Sequence, residues 1–293
     1  MDNTSVYHPG PLTSVVPYLD RGTRRNSQPH VILHFIALVV ALTLSTVATA
    51  RVLVSKGPVE QHGLNGLLLG SGLEYTPDPL NPEYVIPYII EYDLTEQLKL
   101  GTEVDYKHIS CTSVAKRESP GDCGGGAGVS DAELSAEWKV INERRWQPSV
   151  ALLGIVKFPT NALLGSNFAD YDVGLIINKE FVFFTVDLDA VYTFVGTPRG
   201  QPADHNWELS TSIENDINPV WVFMAEFVWD SNGGGAGHQG SGNSTPGSQT
   251  IFTVGFAQHI TKELRLEEGY SRQSDGTKQV LFGVEYAFGG GRR

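Results

Sequence analysis

From Gly63 onward, apolar and polar residues follow one another with a period of two. That is the period of an extended strand whose two faces meet different surroundings. Within 181–195, Val182, Phe184, Val186, Leu188, Ala190, Tyr192 and Phe194 share one face, and Thr185, Asp187, Asp189 and Thr193 share the other. Leu98, Leu100, Val104 and Tyr106 oppose Lys99, Glu103, Asp105 and Lys107 in the same manner. Ala132, Leu134, Ala136, Trp138 and Val140 oppose Asp131, Glu133, Ser135, Glu137 and Lys139, and Trp221, Phe223, Phe227 and Trp229 face away from Glu226. A helix would scatter these charges around its circumference. The pattern predicts about twelve strands, at 64–75, 84–92, 98–109, 131–142, 148–158, 171–178, 182–195, 206–213, 221–229, 249–258, 264–272 and 278–288.

The connections fall into two alternating classes. Short ones lie at 93–97, 143–147, 178–181, 214–219 and 259–263. Longer ones, richer in Gly, Pro and Ser, lie at 77–83, 110–130, 159–170, 196–205 and 230–248; only the last of this class, near 274–276, is short. A soluble sandwich has no reason to sort its loops this way, whereas outer-membrane barrels place short turns on one side and long loops on the other. Strands of about ten residues also suit a tilted bilayer crossing. The expected fold is therefore all-β: an antiparallel transmembrane outer-membrane β-barrel of about 12 strands, with both chain ends on the short-turn side. The Gly-rich stretch 232–248 is expected to be a flexible outside loop, since it lacks the Gly-Lys-Ser/Thr and following helix of a phosphate cradle.

Arg21, Arg24 and Arg25 precede an apolar run at 31–44, and Ala48, Thr49 and Ala50 follow it. These are the three parts of a secretory signal, and the run is short for a spanning helix. Cleavage after Ala50 is expected, which divides the chain into an N-terminal extension with signal peptide at 1–50 and a barrel at 51–293. In an exported protein, Cys111 and Cys123 are expected to form one disulfide closing a small loop, since only His108 lies near enough in sequence to suggest a metal instead. The net charge of -12 removes nucleic acid from the partners, because phosphate binding needs clustered cations.

The chain's end adds a further signal. Val280, Phe282, Val284, Tyr286 and Phe288 share a face, and Gln279, Gly283, Glu285 and Ala287 point the other way. A terminal aromatic on a final alternating strand resembles the signature that bacterial outer-membrane proteins present to the barrel-assembly machinery, although here residues 289–293 follow it. Other pieces resemble one family: LSAEWKV from Leu134, ALLGIVKFPT from Ala151, DYDVGLIINKEF from Asp170, VYTFVGTP from Val191 and EYDLTEQLKLGTEV from Glu91. Together they resemble the outer-membrane transporter family labelled "MetA-pathway of phenol degradation". The K-F-P-T corner and the D-Y-x-V-G-L strand are its most specific parts; Asn161-Ala162 replaces the family's Gly-Asp after the corner. The resemblance implies a channel or transporter and names no proven substrate.

If apolar faces meet lipid, the opposite faces line a lumen. That lumen would carry Glu74, Glu91, Glu103, Asp105, Glu133, Glu137, Asp172, Asp187, Asp189, Glu208, Glu226, Glu267 and Glu285, against Lys99, Lys107, Lys139, Lys157 and Arg265. Five cations cannot pair one to one with so many acids, and buried charge must be paired or wet. The expected function is an outer-membrane channel or transporter with a water-containing acidic lumen that disfavours anions. It would pass small solutes, aromatic and other small organic compounds among them. The alternative is a non-conducting barrel that acts as a surface-binding or structural protein through its outside loops. Expected partners are outer-membrane lipids, the assembly machinery and a small-molecule solute, without cofactor or metal. Catalysis is not expected. His62, His108, His205, His238 and His259 have no visible nucleophile partner, and neither G-x-S-x-G nor H-E-x-x-H occurs.

Overall fold

The computed structural model describes residues 66–78, 81–111, 125–160, 168–197, 205–232 and 248–288. The expected signal segment, Cys123 and residues 289–293 lie outside the described residues. Twelve strands follow in order: β1 (Leu67–Thr76), β2 (Glu83–Asp93), β3 (Leu98–Ile109), β4 (Gly126–Ile141), β5 (Ser149–Phe158), β6 (Asp170–Glu180), β7 (Phe184–Phe194), β8 (Asn206–Asp216), β9 (Trp221–Asp230), β10 (Gln249–His259), β11 (Leu264–Gln273) and β12 (Lys278–Phe288). Each pairs antiparallel with its sequence neighbours, and β1 pairs with β12 from Leu67↔Phe288 to Tyr75↔Val280, so the sheet closes into a barrel. Closure leaves no edge to satisfy, which a strand in lipid requires.

The structure departs from the sequence pattern at several strand ends; β8, for one, runs on to Asp216 rather than ending at 213, paired with β9 as far as Asp216↔Val222. β4 begins at Gly126 rather than near residue 131, because pairing with β3 extends as far as Ile109↔Gly126. Between Val104↔Ala132 and Tyr106↔Val129, β4 carries one residue more than β3, and this bulge leaves the consecutive residues Ser130 and Asp131 both buried. β7 starts at Phe184 rather than 182: a hydrogen bond from Phe181 N to Phe184 O (2.8 Å) closes the turn ahead of it.

The outer face is apolar, with aromatic groups towards both ends. Tyr75 stacks on Tyr84, and Tyr192 packs on Phe194 and Trp207, towards the long-loop end. Phe181–Phe184, Phe223–Phe256 and Tyr286–Phe288 pair towards the short-turn end. Exposed aliphatic residues such as Leu134, Leu152, Val173 and Leu209 lie between. An apolar band between aromatic girdles is the lipid-facing surface of an outer-membrane barrel. Among the described residues no helix is long and apolar enough to cross a membrane.

The inner face is not uniformly polar. Ala151, Leu153, Ile155 and Ile176 form one buried cluster with Val191 against it, and Val222, Met224, Ala257 and Leu281 form another. Met224, Gly255, Gly269 and Leu281 are successive register partners across β9–β12, so two large side chains meet over two residues that have none. The rule that apolar residues face lipid, used to read the sequence, fails on these strands.

Candidate functional site

The inner wall is the candidate site. The alternating burial and the register place Glu103, Asp105, Glu133, Glu137, Lys139, Lys157, Asp172, Asp187, Asp189, Glu226, Arg265, Glu267 and Glu285 on the inward face of their strands. Strand pairing then sets their neighbours. Glu103 lies opposite Glu133, which lies opposite Lys157; Arg265 lies opposite Glu285; Asp172 lies opposite Ile155 and Lys139 opposite Ala151.

Three cations each bridge two carboxylates. Lys99 Nζ lies 3.3 Å from Glu91 and 3.2 Å from Glu137. Lys157 Nζ lies 2.9 Å from Asp170 and 3.6 Å from Asp131. Arg265 lies 2.9 Å from Glu267 and 3.2 Å from Glu214. One cation thus serves two acids, a solution the residue count alone did not suggest. Glu214, Asp131 and Asp170 are the members of these bridges that the sequence reading left out of its lumen set. Asp131 shares the polar face of its strand with Glu133 and Glu137, and the bulge brings Ser130 beside it towards the interior.

The second bridge lies at a corner built from the most specific sequence pieces. Lys157 opens the K-F-P-T stretch and Asp170 opens the D-Y-x-V-G-L strand. Asp170 Oδ1 also accepts a hydrogen bond from Gly196 N at 2.8 Å, and Thr160 Oγ1 donates to Ser130 O. A Cβ on Gly196 would collide with Ala169 O and Phe168, so only glycine fits there. The pieces that look like motifs therefore join β4, β5, β6 and β7 at the long-loop end.

Elsewhere polar groups hold one another. Asn178 Nδ2 donates to Asp187 Oδ1 at 2.8 Å, and Ser212 Oγ donates to Asp187 Oδ2 at 3.2 Å. Ser212, Glu226, Thr253 and Ser271 lie in register across β8–β11 beside this pair, all deeply buried, and the Ser271 hydroxyl has no hydrogen-bond partner. β7, β8, β9 and β10 contain no Lys or Arg, although Asp187, Asp189, Glu208 and Glu226 lie on them. Among the described residues no group of three or more His, Cys, Asp or Glu side chains is disposed to hold a metal ion.

This architecture has solved counterparts. An outer-membrane channel from Pseudomonas putida F1 superposes with a TM-score of 0.62 at 16% identity, over 80% of this chain and 99% of that one. The barrel shares the fold of outer-membrane channels. The NanC porin gives 0.55 at 10% identity, over 75% and 98% of the two chains. The KdgM porin, in complex with disordered oligogalacturonate, gives 0.50 at 12% identity, over 76% and 99%. No protein-family model and no curated protein matches the sequence. At these identities the likeness is one of fold.

Proposed function

We propose that this barrel resides in the bacterial outer membrane and passes small solutes across it, favouring cations and neutral molecules over anions. The observation that carries this reading is the charge of the inner wall: β7–β10 present carboxylates with no cation of their own, inside a closed barrel with a lipid-type outer face. Fixed carboxylates along a passage repel anions and draw cations. The oligogalacturonate held by the KdgM porin is a polyanion, and the wall described here is of the wrong sign for such a solute.

Five finer readings belong to this proposal. Membership of the phenol-degradation transporter family is supported by the way its most specific pieces meet at the Lys157–Asp170 corner. The pairing of Cys111 with Cys123 is supported by the chain's return: a Cβ on Gly125 would lie 3.2 Å from that of Cys111. Residues 1–50 act as extension and signal, and the assembly machinery receives the strand ending at Phe288. Aromatic and other small organic compounds suit the apolar inner clusters beside the carboxylates.

Planar bilayers test the proposal. Folded protein is expected to give discrete conductance steps, with a reversal potential in a KCl gradient of the sign for cation preference. Absence of steps from folded protein would refute the passage and leave a surface-binding barrel. Anion preference would refute the charge argument.

A further inference from the structure

Six side chains form one row across the inner wall. Ala151 lies opposite Ile176, Ile176 opposite Asp189, Asp189 opposite Ser210, Ser210 opposite Val228 and Val228 opposite Ile251. All are buried, Asp189 at 7% and Ser210 at 6% exposure. Asp189 Oδ1 and Ser210 Oγ have no hydrogen-bond partner. Asp105 Oδ1 and Ser271 Oγ are likewise without a hydrogen-bond partner, but neither lies opposite another such group, as Asp189 and Ser210 do, and the neighbouring Asp187 is held by Asn178 and Ser212. Buried polar groups are almost always paired, so two adjoining orphans mark a place where a partner is supplied from outside the chain.

The surroundings define that partner. Asp187 stands two residues along the same inward face of β7, Glu226 stands two residues from Val228 on β9, and β7, β8 and β9 carry no Lys or Arg, so the surroundings are negative. This favours a cation over a neutral donor. A divalent metal is disfavoured, since no set of acidic side chains among the described residues converges on one point. On either side the row is hydrocarbon: Ile176 and Ala151 on one, Val228 and Ile251 on the other. Apolar surface on both flanks solvates no bare ion but accepts an apolar body.

The geometry points to a subsite for a small amphipathic organic ammonium. Its N–H groups donate to Asp189 and Ser210, and its apolar body lies along Ile176–Ala151 or Val228–Ile251. The inference rests on the passage reading, since the solute must reach the inner wall, and it names a solute class for that passage.

Three probes with one body and different heads test it: benzylammonium, benzyl alcohol and benzoate, titrated calorimetrically into the full barrel in detergent. Folding of each variant is checked by the heat-dependent shift of its gel mobility. The wild type is expected to bind benzylammonium in preference to the other two. Asp189→Asn is expected to weaken it by about tenfold or more, the scale of losing a charge-assisted hydrogen bond. Ser210→Ala is expected to weaken it about threefold to tenfold, as a neutral hydrogen bond would. Benzyl alcohol binding as well as benzylammonium, no binding of benzylammonium, or unchanged affinity in folded Asp189→Asn would each overturn the subsite. If Asp189→Asn does not fold, Ser210→Ala and the wild-type comparison still decide. Conductance without benzylammonium binding would remove the subsite and keep the passage. Asp189-dependent binding without conductance would do the reverse.

Discussion

Lys157→Met is the sharpest test of how the inner wall is held. Lys157 is buried between Asp170 at 2.9 Å and Asp131 at 3.6 Å. At an effective dielectric near 20, those separations give attractions of about 6 and about 5 kcal/mol. Most of that is offset by the cost of taking three charges out of water. Removing only the cation forfeits the attraction and keeps two desolvated carboxylates, so a net loss of about 3–5 kcal/mol is expected. The triple variant Asp131→Asn, Lys157→Met, Asp170→Asn removes the charges together. It keeps an acceptor at residue 170 for Gly196 N and is expected to recover most of the loss. The measurement is reversible guanidinium unfolding in phospholipid vesicles, followed by tryptophan fluorescence. A loss below about 1 kcal/mol for Lys157→Met, the value of an exposed pair, would refute the burial of the bridge. A triple variant no more stable than the single would refute the uncompensated charge as the cause.

Three further outcomes follow from the same structure. Gly196→Ala drives a methyl into Ala169 O and Phe168 and should cost about 1–3 kcal/mol in the same unfolding assay, while Gly154→Ala, with open space around it, should stay within about 0.5 kcal/mol. Leu134→Arg, mid-strand on the outer face, should cost about 2–4 kcal/mol in vesicles if that face meets lipid; no loss would count against a lipid-facing β4. Periplasmically exported protein should show Cys111 and Cys123 unreactive to a thiol-labelling reagent until reduced, with one intramolecular cross-link by peptide mass; free thiols in non-reduced protein would refute the pairing.

The outer face was more legible in the sequence than the inner one. Twelve strands, their alternation and the sorting of short and long connections follow from a period of two repeated around a closed sheet, and each hairpin reports it independently. Strand ends were less legible where Gly-rich residues gain their order from a neighbour, as β4 does from β3 between Gly126 and Ser130. A bulge is likewise invisible to alternation, so the joint burial of Ser130 and Asp131 had no sequence signal. The inner apolar clusters were missed for a different reason. In β5 both faces are apolar, with Val150, Leu152 and Val156 alternating with Ala151, Leu153 and Ile155. The only contrast is at the strand's ends, where Ser149 and Lys157 share the face of Ala151, Leu153 and Ile155, and a rule that sends every apolar residue to lipid overrides it; the register with Ile176 and Asp172 confirms that face as the inner one.

Knowing which acids are bridged changes where the charge of the wall resides. Counted along the sequence, the inward carboxylates suggest an acidic bore of even character. In the barrel, Lys99, Lys157 and Arg265 draw Glu91, Glu137, Asp131, Asp170, Glu214 and Glu267 into compact bridges. The acids left facing a wall without Lys or Arg lie on β7–β9, where Asp189 lacks a partner for one oxygen. Each bridge sets one positive charge against two negative ones, so the sectors carrying Lys99, Lys157 and Arg265 are partly compensated, and on the passage reading a cation meets its strongest attraction along β7–β9. Flanking that sector are the apolar residues Ile176, Val191, Val228 and Ile251. Selectivity set by one sector predicts that neutralising Asp189 and Glu226 lowers cation preference more than neutralising Glu91 and Glu137, one of whose two charges Lys99 already offsets. Equal effects from the two pairs, read as reversal potentials, would return the wall to the even acidic bore that the sequence alone suggested.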